Sequence, residues 1–159
     1  MAESVRLAID PGPVQSAWLV MGPAGGIRSF GIWDNISLLL LLRGEDDQLS
    51  PDVTHLAIEK VESFGMAVGA EVFETVFWSG CFAEAAHQLK LERISRRAVK
   101  LNLCGSARAK DPNIRQALID RYGGPDSIGK KAAPGPLFGI SKDVWSALAV
   151  AVTAADLQS

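Results

Sequence analysis

Three acidic residues from distant parts of the sequence each stand at the tip of an apolar segment. Asp10 ends the apolar run 5–9, Glu59 ends the run 56–58, and Asp143 opens an almost wholly apolar final segment. At Glu59 in particular, the folding of an apolar strand does not require a carboxylate. A divalent-metal site built from oxygen ligands does need acids that converge from separate elements. We therefore predict that Asp10, Glu59 and Asp143 are metal ligands.

Each of these acids also has an ordinary structural explanation. Asp10 can form a turn, Glu59 can be a solvated strand end, and Asp143 can favour the positive end of its helix. If the strands that carry Asp10 and Glu59 are neighbours, the two carboxylates can reach one cation. Two Mg²⁺ ions could then activate a water and stabilise the leaving oxygen of a phosphodiester. Magnesium rather than zinc follows from the oxygen ligands and from the absence of nearby histidines and cysteines.

The elements that must position these acids can be read from apolar periodicity and turn residues. Three strands joined by short turns come first, and helices alternate with strands afterwards. The expected strands are 4–10, 15–21, 27–33, a strand ending at Glu59, and 91–94. The expected helices are 36–43 (capped by Asp34 or Asn35), 70–89, 113–122 (capped and started by Asp111-Pro112) and 142–157 (capped by Ser141). The segment 95–100 is treated as the start of a basic stretch and 127–139 as a loop.

This order predicts an α/β fold in a single domain, 1–159. The sheet is expected to be mixed and five-stranded, with three antiparallel strands followed by parallel ones that helical crossovers join. The aromatic residues of the helix 70–89 exceed what one face needs. Core packing is the preferred use for them, and a dimer interface is the alternative.

Composition points to a soluble globular protein in a reducing cytoplasm. The 159 residues are 48% hydrophobic and 21% charged, which fits one ordinary domain. The leucine-rich run 36–42 is far too short to cross a bilayer, so no membrane association is expected. Cys81 and Cys104 lie far apart without the spacing of a zinc motif or a disulfide framework.

Charge is distributed unevenly along the chain. Residues 1–87 carry 4 Lys+Arg against 12 Asp+Glu, whereas residues 88–143 carry 12 against 5. An acidic site beside a basic surface suits a polyanionic substrate that is cut with metal ions. The alternative is a chance unevenness of solvated faces.

Four short motifs, in order and spacing, carry a resemblance to a known family. They are Asp10-Pro11-Gly12, the stretch 58–61, the stretch 97–100 and the stretch 143–151. Together they resemble the RuvC-type Holliday junction resolvases of the RNase H-like superfamily, and phage-encoded members more than cellular ones. The resemblance implies an RNase H-like fold over nearly the whole chain. It also implies a homodimer in a bacterial or phage-infected cell that binds four-way DNA junctions and nicks two strands symmetrically with Mg²⁺ or Mn²⁺, with two ions per active site.

The resemblance also assigns residues. Asp10, Glu59 and Asp143 match metal ligands, Lys100 falls on a lysine beside the scissile phosphate, and Lys110 approximates a second such lysine. Phe64 lies in the loop where the family places an aromatic that stacks on opened bases, although a core phenylalanine is the alternative. The residues expected to contact DNA are Phe64, Arg96, Arg97, Lys100, Arg108, Lys110, Lys130 and Lys131.

One position departs from the family pattern. A second aspartate is usual one helical turn after Asp143, and this chain has Ser146 there. Ser146 shares a helix face with Asp143 and could hold a metal-bound water, but it supplies no charge. Glu62 is a further candidate ligand. A second function therefore stays open, namely a branched-DNA-binding protein with the same fold that cuts weakly or not at all.

Overall fold

A five-stranded mixed sheet forms the centre of the molecule. The computed structural model describes residues 3–158. The sheet strands are β1 Arg6–Asp10, β2 Gln15–Met21, β3 Ile27–Asp34, β4 His55–Lys60 and β5 Lys90–Ser95. A separate two-stranded hairpin consists of β6 Gly129–Lys130 and β7 Ala133–Pro134. The helices are α1 Asn35–Leu42, α2 Ala70–Ala85, α3 Arg96–Cys104, α4 Asp111–Arg121 and α5 Val144–Gln158.

The strand order β3-β2-β1-β4-β5 confirms the predicted sheet. Strands β1, β2 and β3 are antiparallel neighbours, whereas β4 is parallel to both β1 and β5. Since β1 and β4 are adjacent and parallel, their carboxyl ends reach the same edge of the sheet. This edge carries Asp10 and Glu59.

Two apolar cores cover the two faces of the sheet. On one face α1 and α2 pack through residues such as Leu38, Leu41 and Phe82. On the other face α5 is buried along most of its length against Ala8 of β1 and Ala57 of β4, with α3 and α4 beside it. Because side chains alternate along a strand, Asp10 and Glu59 point to the same face as Ala8 and Ala57. The acids therefore face the start of α5.

One helix was missed from the sequence. The stretch 95–100 was interpreted only as a basic segment, but α3 begins directly where β5 ends. The hydroxyl of Ser95 accepts a hydrogen bond from the Ala98 N–H (3.0 Å), which caps the helix, and Gly105 ends it in the left-handed conformation (φ 69°). Ser95 and Gly105 were the available signals, and the high density of charge in this stretch obscured them.

Several predicted boundaries shift. The helix predicted at 70–89 ends at Ala85, because the chain must turn so that the Lys90 N–H can reach the Thr54 carbonyl (3.0 Å) and enter the sheet. The predicted loop 127–139 contains the hairpin β6–β7. Asp34, one of the two predicted caps, accepts hydrogen bonds from the Ser37 N–H (2.9 Å) and hydroxyl (2.7 Å) at the start of α1.

The aromatic residues of α2 are used differently from the prediction. Phe82 is fully buried, but Phe73 is 67% exposed and Phe77 is 60% exposed. The preferred expectation of core packing is therefore wrong for Phe73 and Phe77, which leave an apolar face of α2 in solvent. Among residues 3–158, none of the helices has both the length and the apolar character needed to cross a membrane.

Candidate active site

Asp10 and Glu59 lie side by side at the carboxyl ends of β1 and β4. The parallel register pairs Ile9 with Ile58, so the next residue of each strand is the acid. Both side chains are partly buried, and the carboxyl group of Asp10 hydrogen bonds to that of Glu59. The structure thus brings together two of the three acids singled out from the sequence.

A buried polar network fixes the turn that follows Asp10. The Gly12 N–H donates to the Ser16 hydroxyl (3.1 Å), which in turn donates to Asn35 Oδ1 (2.6 Å), and Asn35 Nδ2 donates to the Gly12 carbonyl (2.9 Å). Ser16 and Asn35 are almost fully buried. A Cβ at Gly12 would come within 2.3 Å of the Gln15 carbonyl oxygen, so only glycine fits here. Elements β2 and α1 thereby hold the end of β1 in place.

The proximity of the acids changes the titration of Asp10. Burial, then the hydrogen bond to Glu59, and then the charges of Glu59 and Asp143 together raise the pKa of Asp10 to about 9, although nearby Arg96 acts in the opposite direction. At neutral pH and without a cation, Asp10 therefore keeps its proton, which forms the hydrogen bond to Glu59. A bound cation would take the place of that proton.

Asp143 reaches the site from the start of α5. The helix begins at Val144 rather than at the predicted residue 142, because Lys142 adopts the left-handed conformation (φ 49°) and interrupts it. The Asp143 carbonyl accepts the hydrogen bond of the Ala147 N–H (3.1 Å), so Asp143 takes the capping position predicted for Ser141. Its carboxylate is exposed and lies within electrostatic range of Asp10.

Arg96 stands between the acids and the neighbouring helix α4. One guanidinium nitrogen lies 3.5 Å from Glu59 Oε1, and another contacts Asp111 Oδ1. Arg96 is the first residue of α3, so its position follows directly from the end of β5. A guanidinium can contact two carboxylates at once because its N–H donors fan out in a plane.

Two cavities flank Arg96. The larger, of about 550 Å³, lies between α3, α4 and the start of α5, and its lining includes Asp111, Arg115, Lys142, Asp143 and Ser146 as well as Arg96. The smaller, of about 350 Å³, is lined by residues that include Pro11, Glu59, Glu62 and Phe64, again with Arg96. Ser146 therefore shares a cavity with Asp143, and Glu62, which is exposed, shares one with Glu59.

Sequence reasoning missed several groups in the larger cavity. Arg115 stacks over Trp145, with its guanidinium carbon 5.0 Å from the ring centroid, and Lys142 lies directly before Asp143. Arg115 lies one helical turn after Asp111, but nothing in the sequence shows that this face of α4 packs toward α5. Asp111 was interpreted only as a helix cap. The cap position is in fact Lys110, whose N–H donates to Asn113 Oδ1 (2.9 Å).

The remaining basic residues predicted to contact DNA do not line these two cavities. Lys100 is half-buried on α3, whereas the others are exposed on α3, at the start of α4 and in the β6–β7 hairpin. These exposed residues are Arg97, Arg108, Lys110, Lys130 and Lys131. Phe64 is 70% exposed in the loop after β4, so the core alternative for it is wrong.

The donor set suits a hard cation, although the acids do not close around one. Carboxylate oxygens are the ligands that Mg²⁺ and Mn²⁺ prefer, and neither cavity is lined by a histidine or a cysteine. Across residues 3–158, no three Asp, Glu, His or Cys side chains are placed closely enough to ligate one ion together. Asp10 and Glu59 are thus a hydrogen-bonded pair of candidate ligands, whereas Asp143 acts on Asp10 only through its charge.

Comparisons with known proteins bear on the fold. No protein-family model and no curated protein sequence matches this chain. Thermus thermophilus RuvC in complex with a Holliday junction substrate superposes with a TM-score of 0.71 at 16% sequence identity, covering 98% of this chain and 94% of that chain. The chain has the RuvC fold. A second structure of Thermus thermophilus RuvC gives a TM-score of 0.65, also at 16% identity, over 97% of this chain and 95% of that chain.

The RuvC fold confirms the predicted architecture. The antiparallel β1–β3, the parallel β4 and β5 and the flanking helices are shared over nearly the whole length of both chains. At 16% identity the similarity to RuvC establishes the fold alone, so the activity has to be inferred from the residues that this chain places at the sheet edge.

Proposed function

We propose that this chain is a metal-dependent, structure-selective DNA endonuclease that resolves four-way and related branched junctions by paired symmetric nicks. The observation that carries the proposal is the Asp10–Glu59 carboxyl pair at the ends of adjacent parallel strands, with Asp143 in electrostatic range, in a chain with the RuvC fold. A RuvC with this fold has been seen with a Holliday junction substrate, which supports branched DNA as the substrate class. The proposed setting is the cytoplasm of a bacterium or of a phage-infected cell.

The carboxylates would hold Mg²⁺ or Mn²⁺. Asp10 and Glu59 would be the first ligands, and Asp143 would approach from α5, with Ser146 one turn later and Glu62 beyond β4 as further candidates. A divalent cation bound there supplies an activated water and a Lewis acid for phosphodiester hydrolysis. The sequence leads us to expect two ions per active site, and no observation on the structure tests that number.

Basic side chains around the acids would receive the phosphate. Arg96, Arg115 and Lys142 line the larger cavity with Asp143, so a DNA strand that enters it meets positive charge beside the carboxylates. Fixed cations near a scissile phosphate offset the charge that develops in the transition state. Lys100 lies one turn after Arg96 on α3, and it remains our candidate for the lysine beside the scissile phosphate.

The other basic residues would position the rest of the junction. Arg97, Arg108 and Lys110 lie on or next to the starts of α3 and α4, and Lys130 and Lys131 extend from the hairpin. Contacts of this kind to phosphates fix register without reading sequence. We propose these residues as DNA contacts, and Lys110 as a second lysine near the scissile phosphate.

A homodimer would supply the two active sites that paired nicks require. Phe73, Val76 and Phe77 are 67%, 49% and 60% exposed, and their spacing places them on one face of α2. A contiguous exposed apolar face of this kind is typical of an interaction surface. We propose that two copies associate through this face of α2.

The test of the proposed function is cleavage of a labelled four-way junction. The purified protein is incubated with the junction in Mg²⁺ and, separately, in Mn²⁺, and products are resolved on a denaturing gel. We expect nicks at symmetry-related positions on two strands, with linear duplex of the same sequence left intact. Equal cleavage of junction and duplex would contradict the proposed selectivity for branched DNA.

A second candidate function is a branched-DNA-binding protein with little or no cleavage. It is favoured by two observations: the described acids do not close around an ion, and Ser146 adds no charge to the Asp143 face. The same assay separates the two candidates when it is run beside a native gel. A shifted junction without product in either metal would support the binding protein.

Phe64 offers a test of junction opening. Its side chain is 70% exposed, so Phe64→Ala is expected to leave the thermal unfolding midpoint unchanged while it weakens junction binding by about 5- to 100-fold, the loss of one base stack. Fluorescence anisotropy with a labelled junction in Ca²⁺ measures this loss. The matched control is Met66→Ala, which removes a 78% exposed side chain from the same loop and is expected to bind normally. Equal losses in the two variants would contradict a stacking role for Phe64.

A further inference from the structure

We propose that the guanidinium of Arg96 supplies, from the chain itself, the positive charge that a second divalent cation would supply, so that each active site holds one metal ion. This inference rests on the proposed nuclease function and specifies how its site is charged. The observation behind it is the position of Arg96 between Glu59 and Asp111.

Arg96 already occupies the side of the site that faces α4. Its guanidinium lies 3.5 Å from Glu59 Oε1, contacts Asp111 Oδ1, and is close enough to Asp10 to act on that carboxyl electrostatically. Arg96 also lines both cavities, so it lies between the cavity that contains Glu59 and the cavity that contains Asp143. Arg96 therefore interacts with Glu59, Asp111 and Asp10 at once.

A second cation on that side would meet the Asp143 carboxylate but no second acid that is free of Arg96. The cavity that holds Asp143 contains one further acid, Asp111, and Arg96 is paired with it. Ser146, on the next turn of α5, is neutral. A divalent ion placed there would have to displace the guanidinium from Asp111 while being repelled by it. On the other side, Asp10 and Glu59 remain together for a first ion.

The guanidinium suits this position better than an ammonium group would. It stays charged at every physiological pH, and its planar donors can contact Glu59, Asp111 and a phosphate oxygen in different directions. Arg96 is also anchored by the backbone, because Ser95 caps α3 at the point where β5 ends. A fixed cation of this kind needs no reorganisation when negative charge builds up on the phosphate.

The first measurement is the stoichiometry of Mn²⁺ binding without DNA. Free Mn²⁺ is followed by electron paramagnetic resonance as MnCl₂ is titrated into the full chain. We expect one ion per wild-type chain and two per chain of Arg96→Gln, because the substitution frees Asp111 and one face of Glu59. Arg97→Gln, which removes an exposed arginine from the adjacent position, is the matched control and is expected to bind one ion.

The second measurement is the dependence of junction cleavage on Mn²⁺ concentration. Wild-type cleavage is expected to follow a single-ion saturation curve. Arg96→Gln is expected to be about 100-fold slower at concentrations that saturate the first ion, and to recover cooperatively at higher Mn²⁺ as the second ion replaces the lost charge. Arg96→Lys, which keeps the charge, is expected to retain single-ion dependence. Arg28→Gln, whose ion pair with Asp52 is remote from the site, serves as the activity control.

The outcomes separate this inference from the proposed function. Two Mn²⁺ ions on the wild-type chain would overturn the role of Arg96 even if junctions are cut, and this result needs no variant. Wild-type cleavage rates for Arg96→Gln at low Mn²⁺ would overturn it as well. A third outcome is one ion on the wild-type chain, two on Arg96→Gln, and no junction cleavage by either protein. This outcome would support the assignment of Arg96 and contradict the proposed nuclease function.

Discussion

Asp10→Asn is expected to reduce junction cleavage by roughly 1,000-fold while junction binding is retained. Asn keeps the size of the side chain but cannot supply the carboxylate that, with Glu59, forms the preassembled part of the site. Under the proposed function, binding depends instead on the basic residues of α3, α4 and the β6–β7 hairpin, which the substitution does not change. Cleavage is measured on a denaturing gel under single-turnover conditions, and binding by anisotropy in Ca²⁺.

The control for this expectation is Asp52→Asn. Asp52 is an exposed carboxylate before β4, at the opposite end of that strand from Glu59, and it pairs with Arg28 (2.7 Å). Its substitution is expected to leave both cleavage and binding unchanged. Cleavage by Asp10→Asn at the wild-type rate would show that Asp10 is not needed for cleavage. It would also contradict the role that we assign to this edge of the sheet.

The stability of the metal-free protein is expected to fall as the pH rises from about 4 toward 9, and Asp10→Asn is expected to remove much of that fall. The folded-state pKa of Asp10, about 9, lies above the ordinary aspartate value of 3.8 because of burial and the acids Glu59 and Asp143. Between these values the folded chain holds a proton at Asp10 that the unfolded chain has released. Stability therefore decreases with pH across this window and is fully retained only below the lower value.

The size of this effect can be measured by thermal unfolding in a chelating buffer. At pH 8 the Asn variant is expected to be more stable than the wild type by up to about 6 kcal/mol, or roughly 10–20 °C in the unfolding midpoint, and at pH 4 the two should nearly coincide. Added Mg²⁺ should raise the midpoint of the wild type at pH 8 but not that of the variant. A wild-type midpoint that rises steadily from pH 4 to pH 8 relative to the variant would contradict the raised pKa.

Asp52→Asn again provides the comparison, because its expected effect on stability at neutral pH is opposite to that of Asp10→Asn. The hydrogen bond from Ser50, followed by the contacts with Arg28, lowers the pKa of Asp52. That carboxylate therefore adds stability above its unfolded pKa, and the contribution is lost as the pH falls through its folded pKa. Its substitution should slightly destabilise the protein at neutral pH, whereas Asp10→Asn should stabilise it.

The sheet and the acid pair could be predicted because both depend on local signals. Apolar runs ended by Asp10 and Glu59 are visible in the sequence, and the short turns that precede the crossovers dictate antiparallel strands followed by parallel ones. Once β1 and β4 are neighbours, their register brings the two acids together. The resemblance to RuvC-type proteins added the order of the motifs, and the structure confirms the fold that it implied.

The groups around Arg96 could not be predicted because their arrangement depends on how helices pack. Arg96 was expected only as a DNA contact, since α3 was not recognised and its pairing with Glu59 and Asp111 joins three separate elements. Arg115 and Trp145 meet only because α4 lies against α5. The left-handed Lys142 likewise moved the start of α5, and no glycine or asparagine marked that position.

The buried helix α5 also determines when the three candidate ligands can come together. It follows every strand and every other helix in the sequence, yet it fills the centre of one face of the sheet and brings Asp143 to the edge. A chain that has emerged from the ribosome only as far as α4 still exposes Ala8 and Ala57 and lacks its third carboxylate. The three candidate ligands are therefore brought together only when this hydrophobic core is complete, so under the proposed function a nascent chain does not cut DNA before it has folded.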